Sequence, residues 1–148
     1  MRLLWISALA ACATLGVVNG ASAASTKDQV VAAYAAWDQA FNTGDASKLA
    51  PFYTDDAVFL PPTHDVMKGP AGVEKFFGGL FANGVTGHKL EVIDVIGDDD
   101  DEYVVAAAKW SAQGKDASGA PTTFGGVATH VFERQPDGSL KLELQTFN

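Results

Sequence analysis

From Lys89 onward the chain is written almost entirely in strands, and no other feature limits its fold as much. Residues 89–96, 103–112, 122–134 and 140–147 are long runs rich in Val, Ile, Thr, Phe and Leu. Stretches rich in Gly, Asp and Pro separate them, at 97–101, 114–121 and 136–138. Connections this short join antiparallel neighbours. A sheet of this length needs an apolar layer over one face, and that layer has to come from the first half of the chain.

The first half supplies it as helices. The spacing of Val30, Tyr34, Trp37 and Phe41 predicts a helix over 27–42 with one apolar face. Thr26-Lys27-Asp28-Gln29 reads as its capping box, and Asn42-Thr43-Gly44 ends it. Asp45 caps a short second helix, 46–52, with Leu49 and Phe52 inward. Residues 57–60 form a short strand stopped by Pro61-Pro62, with Val66-Met67 as its partner. Gly69-Pro70 opens a third helix, with Pro at a tolerated first-turn position. Val73, Phe76, Phe77, Leu80 and Phe81 form its buried face, and Asn83-Gly84 closes it. The expectation is an α+β domain: a strongly curved antiparallel sheet packed against N-terminal helices. Such a cone usually holds a pocket.

Ahead of this lies a different kind of segment. Arg2, an uncharged apolar run from Leu3 to Val18, and Ala21-Ser22-Ala23 together read as a secretory signal. This divides the chain into a signal peptide, 1–23, and a domain, 24–148. The run is too short and too diluted by Ala and Gly for a stable membrane span, which takes about 20 apolar residues. The protein is therefore expected to be exported, periplasmic or secreted. A second reading stays open, because Leu9-Ala10-Ala11-Cys12 matches a bacterial lipobox and would give a lipid anchor through Cys12. Cys12 is the only cysteine, so loss of the signal removes disulfide and thiol chemistry. Loss of Arg2 would move the net charge from −8 to −9, which disfavours nucleic acid as a partner.

Three segments carry a family resemblance: Trp37 to Asp45 (WDQAFNTGD), Leu49 to Val58 (LAPFYTDDAV) and Lys68 to Val73 (KGPAGV). With the ending Leu144-Gln145-Thr146-Phe147-Asn148, they resemble the nuclear transport factor 2-like superfamily, in its SnoaL-like or ketosteroid isomerase-like branch. The resemblance implies a cone with a pocket between the first helix and the concave face of the sheet. It implies that Val104, Ala106, Ala108 and Trp110 face that pocket, as do Phe124, Gly126, Ala128 and His130, with Phe132 beyond. On the last strand it turns Glu143, Gln145 and Phe147 inward. Leu140, Leu142, Leu144 and Thr146 then make an apolar outer face suited to a homodimer. Read alone, the alternation of those leucines gives the opposite parity.

The resemblance also narrows the chemistry. Ketosteroid isomerase-like enzymes use a carboxylate base with a Tyr and a protonated Asp as oxyanion donors. Here the base position falls on Pro61, the tyrosine on Trp37 and the acid donor on His130, so that machinery is not kept. His130 remains the leading reactive group, as a general base near neutral pH, with Glu143 as its acidic partner and Gln145 as another group able to orient it. Trp37, Tyr53, Phe59, Trp110, Phe124, Gln145 and Phe147 are the candidate ligand contacts, the two tryptophans because each has an N–H that can orient a ligand. His88 reads as an exposed strand residue. Asp98 to Asp101 with Glu102 reads as a solvated hairpin tip, since it lacks the alternating spacing of a calcium loop. No metal site and no cofactor are expected. The leading reading is an exported protein with a pocket for a small, largely apolar molecule. The alternatives are a cofactor-independent acid–base enzyme (isomerase, cyclase or dehydratase) and a non-catalytic dimerisation module.

Overall fold

A computed structural model describes residues 24–148. The signal segment 1–23, with Cys12, lies outside the described residues. The elements run α1 (Thr26–Phe41), two 3₁₀ turns (Ala46–Lys48 and Ala50–Phe52), β1 (Tyr53–Leu60), β2 (Met67–Lys68) and α2 (Gly69–Ala82). Four long strands follow: β3 (Thr86–Ile96), β4 (Tyr103–Lys115), β5 (Pro121–Arg134) and β6 (Leu140–Phe147). The six strands make one sheet in the order β2-β1-β6-β5-β4-β3. The long strands pair antiparallel throughout, as the short turns require. β1 then adds to β6 in parallel, so the sheet is mixed at that edge. β2, α2 and the strands β3–β5 all lie between β1 and β6, which gives the chain room for a parallel return.

The apolar face of α1 is the expected one: Val30, Tyr34, Trp37 and Phe41 are all buried. Its cap is not. Ser25 is the N-cap, and its Oγ accepts from the Asp28 N–H at 3.2 Å. Thr26 sits one residue further on and is buried. Its N–H and hydroxyl both donate to Asp99 Oδ1, at 2.7 and 2.6 Å. The acidic run is thus not merely a solvated tip. Asp99 brings a negative charge to the helix N-terminus, where unpaired N–H groups favour it. Arg134 braces the same corner by donating to Gln29 Oε1 and to the carbonyls of Asp98 and Asp101.

The facing residues of β4 and β5 are small. Ala106, Ala108, Ala112 and Ala128 are buried against the helices, with Val104, His130 and Phe132 continuing the same face. Large aromatics on α1 and α2 meet small side chains on the sheet. At one end Phe132 and Tyr34 fill the gap, with ring centroids 5.8 Å apart. At the other end they do not fill it, and a cavity remains.

β6 settles the parity question in an unforeseen way. His130 pairs with Gln145 and Val131 with Leu144, but Phe132 pairs with Leu142. Glu143 is the extra residue of a β-bulge, and a bulge switches which residues face which side. Leu140 and Leu142 therefore pack on the core below it, while Gln145 and Phe147 face inward above it. Each parity expectation holds for half of the strand.

Candidate functional site

The cavity has a volume of about 330 Å³ and lies between α1, α2 and the concave face of β3–β6. Its walls are Trp37 and Phe41 from α1, Phe76, Phe77 and Leu80 from α2, and Trp110, Ala128 and Phe147 from the sheet. Pro62, Thr63, Asn83, Lys115 and Phe124 also line it. Besides Thr63, Asn83 and Lys115, its polar lining is His88, His130 and Gln145. An apolar enclosure with a few convergent polar groups is the usual form of a small-molecule site.

His130 is 1% exposed, and its Nδ1 lies 2.6 Å from Tyr34 Oη. The Tyr34 hydroxyl has no other acceptor among the described residues, so it donates to Nδ1 and the ring proton resides on Nε2. Burial, with His88 as a smaller second cause, pushes the His130 pKa down to about 3. Burial also raises the Tyr34 phenol above its ordinary range. His130 is therefore a neutral N–H donor, and the general-base role expected for it does not fit. Its lone pair is spent on Tyr34, and its conjugate acid is too strong for a good base at neutral pH.

Gln145 stands directly across from His130 on β6. Its Oε1 accepts from the Tyr53 hydroxyl, which leaves the amide N–H₂ as the free end. Burial raises the Tyr53 phenol above its ordinary range, and the nearby Trp37 indole opposes the rise without making a well-formed hydrogen bond. Trp37 Nε1 is the one buried side-chain polar atom without a partner among the described residues. An unpaired buried donor costs about 1–3 kcal/mol, so an acceptor brought to it recovers energy.

The remaining candidates sort by geometry. Trp110, Phe124 and Phe147 line the cavity. Trp110 cannot orient a ligand through its N–H, which donates to the Asn148 carbonyl at 3.0 Å. Tyr53 and Phe59 do not line the cavity. Tyr53 stands behind Gln145, and Phe59 is fully buried between Phe77 and Phe147 at 5.5 and 5.8 Å. Glu143 does not partner His130, because the bulge turns it away to accept from the Thr54 hydroxyl at 2.5 Å. There it belongs to an acidic patch with Asp56, Glu102 and Glu133 that raises the Tyr103 phenol.

His88 is the residue that sequence reasoning missed. It lines the cavity with its side chain only 10% exposed, and its Nδ1 lies 2.7 Å from Asp38 Oδ1. Its ring packs on Trp37 and Phe41 and lies parallel to Trp110. The available signal was on α1. Asp38 and Asn42 are polar residues at i and i+4 beside the apolar stripe, placed to meet one partner.

A family model described as a SnoaL-like domain matches residues 30–141. Solved structures agree in fold. A ketosteroid isomerase-like protein from Erwinia carotovora atroseptica superposes with a TM-score of 0.68 at 19% identity, over 80% of this chain and 91% of that one. A nuclear transport factor 2-like protein with a cystatin-like fold from Novosphingobium aromaticivorans gives 0.67 at 17%, over 82% and 79%. A nuclear transport factor 2 superfamily protein from Salmonella enterica gives 0.67 at 12%, over 82% and 89%. No curated protein matches the sequence.

Proposed function

This chain belongs to the SnoaL-like domain family, and on that premise we propose that its cavity binds a small, largely apolar molecule carrying one hydrogen-bond-accepting oxygen. One observation carries the reading: in a mostly apolar cavity, the free hydrogen-bonding ends of the facing pair His130 and Gln145 are both N–H donors. Such a set suits a carbonyl or phenolic oxygen. The aromatic walls suit the flat apolar body behind it.

The test compares two skeletons that differ only in that oxygen. α-Tetralone, a two-ring ketone, should bind tighter than tetralin, the same rings without the carbonyl. One or two net hydrogen bonds of about 1 kcal/mol each make the ratio about tenfold. Trp fluorescence reads both titrations. Equal affinity for the two would remove the polar half of the proposal, and no binding of either would remove all of it.

Two further parts of the reading rest on other features. We propose export, directed by 1–23, with lipid attachment at Cys12 as the alternative. Mass spectrometry of the native protein distinguishes a chain starting near Ala24 from an acylated Cys12. We also propose a homodimer through the outer face of the sheet, where Ile93 and Val127 are about half exposed. Light scattering that finds a monomer at micromolar concentration would contradict it. Among the described residues, no helix is long and apolar enough to cross a membrane.

A further inference from the structure

One polar group in the cavity has the opposite sense to the donor pair. His88 lies on β3 two residues before Leu90, and its ring packs on Trp37 and Phe41 with 10% of the side chain exposed. α1 fixes it at two levels. The Asn42 side chain pairs with its backbone, Nδ2 donating to the His88 carbonyl at 2.9 Å and Oδ1 accepting from the His88 N–H at 2.8 Å. Asp38 takes the ring, with Oδ1 at 2.7 Å from Nδ1. Asp38 Oδ2 accepts from the Leu90 N–H at 2.8 Å, so the carboxylate is held at both oxygens. A carboxylate offers only acceptors, so the ring proton sits on Nδ1 and the lone pair on Nε2. No described residue bonds to Nε2, yet that nitrogen is not sealed in, since Trp37 Nε1 is the one fully buried side-chain polar atom left without a partner. With the ring lining the cavity, Nε2 is open to what fills it.

The two histidines stand close enough to meet one small molecule, and α1 sets their spacing. Tyr34 packs edge-on against His130, and Trp37, about 4.5 Å further along the helix, packs edge-on against His88. His130 and Gln145 turn N–H groups to the cavity, and His88 turns a lone pair. A buried polar group left unmatched costs about 1–3 kcal/mol, so a ligand that answers only one sense leaves the other as a penalty. We propose that the ligand carries a hydroxyl as well as its accepting oxygen, that His88 Nε2 accepts from that hydroxyl, and that Asp38 is the positioning residue that makes His88 an acceptor. The proposal rests on the ligand reading above and narrows its class to flat apolar molecules with an accepting oxygen on one edge and a hydroxyl on another. Asp38 acts through the sense of its hydrogen bond. An Asn at that position can still accept from the Leu90 N–H through Oδ1, and it then turns Nδ2–H towards His88. A donor there takes the Nδ1 lone pair and moves the ring proton to Nε2. His88 would present an N–H to the cavity, and the preference for a hydroxyl would disappear.

The other role open to this pair is a latch that ties β3 to α1. Calorimetric titration with the 5-, 6- and 7-hydroxy derivatives of α-tetralone, each beside its methyl ether, separates the two. The ether keeps the oxygen but cannot donate. At least one hydroxytetralone should bind about five- to tenfold tighter than its ether, the worth of about one net hydrogen bond. His88→Phe, which keeps a ring on Trp37 and Phe41, should bring that ratio to one while α-tetralone itself still binds. Asp38→Asn should also bring it to one, and NMR of the ¹⁵N-labelled imidazole should show the proton moved from Nδ1 to Nε2. A latch alone would leave the ratio in Asp38→Asn as it is in the intact chain. Ratios near one for all three pairs in the intact chain, with α-tetralone bound, overturn the proposal and leave the ligand reading standing. A preference that survives His88→Phe overturns it as well. Failure of α-tetralone and all its hydroxy derivatives to bind overturns both.

Discussion

Burying a neutral histidine makes the fold sensitive to acid, and the size of the effect follows from the site. His130 titrates at about 3 in the folded protein, against an ordinary value of 6.5. Below pH 6.5 the unfolded chain takes up a proton that the folded chain refuses. Its stability contribution is therefore complete above pH 6.5 and falls as pH drops towards 3. Between pH 7 and 4.5 the loss is about 2.5 kcal/mol, and about 5 kcal/mol when the window is fully crossed. For a domain of this size the first figure lowers Tm by about 10 °C. The lowered carboxylates also lose stability in acid, but only as pH falls below their ordinary values, 3.8 for Asp45, Asp99, Asp116 and Asp137 and 4.5 for Glu91. The window from 7 to 4.5 is thus free of them. The perturbation is His130→Gln, which keeps a polar side chain but cannot titrate. Its stability at pH 7 should be lower, since Tyr34 loses its partner; what matters is the slope. Urea unfolding at half-unit steps should show the wild type losing about 2.5 kcal/mol more than the variant across the window. Parallel curves would refute the buried, neutral assignment of His130.

Three other outcomes follow from the same geometry. Trp37→Phe should cost less than about 1 kcal/mol through hydrogen bonding in urea unfolding, because the indole N–H has no partner to lose. Gln145→Leu leaves the buried Tyr53 hydroxyl without its acceptor and should cost about 1–3 kcal/mol in urea unfolding, together with most of the preference for tetralone over tetralin. Gly126→Ala should destabilise by about 1–3 kcal/mol, because a Cβ there would lie 2.0 Å from the Asn148 carbonyl oxygen and 2.9 Å from Trp110 Nε1. A Gly126→Ala variant with unchanged Tm would show that Asn148 does not pack on Trp110.

What the sequence made legible was whatever depends on local periodicity. The apolar stripe of α1 follows from a spacing of 3.6, and the buried residues Val104, Ala106 and Ala108 of β4 with Ala128, His130 and Phe132 of β5, whose inward side the resemblance implied, alternate with the period of 2 that a strand imposes. Leu140–Phe147 was not readable in this way. Its parity changes at Glu143 because the strand must satisfy two neighbours, β1 and β5, and no local pattern states where the extra residue falls. The role of His130 was half legible. Its inward position follows from β5 alternation, but its protonation follows from Tyr34, 96 residues earlier in the chain. His88 was hidden for the same reason. Its chemistry comes from Asp38, on an element that meets β3 only after folding, and Asp38 in isolation looks like an ordinary polar residue on a helix flank.

The central claim is that a ligand oxygen completes the N–H donors at the inner end of the cavity, and NMR of the ¹⁵N-labelled protein tests it directly. The Gln145 side-chain amide signals can be assigned with Gln145→Leu. Saturating α-tetralone should shift a Gln145 Nε2–H resonance downfield, as expected for a donor gaining an acceptor, while tetralin should not. A Gln145 side-chain amide that stays in place while tetralone fills the cavity would contradict the account.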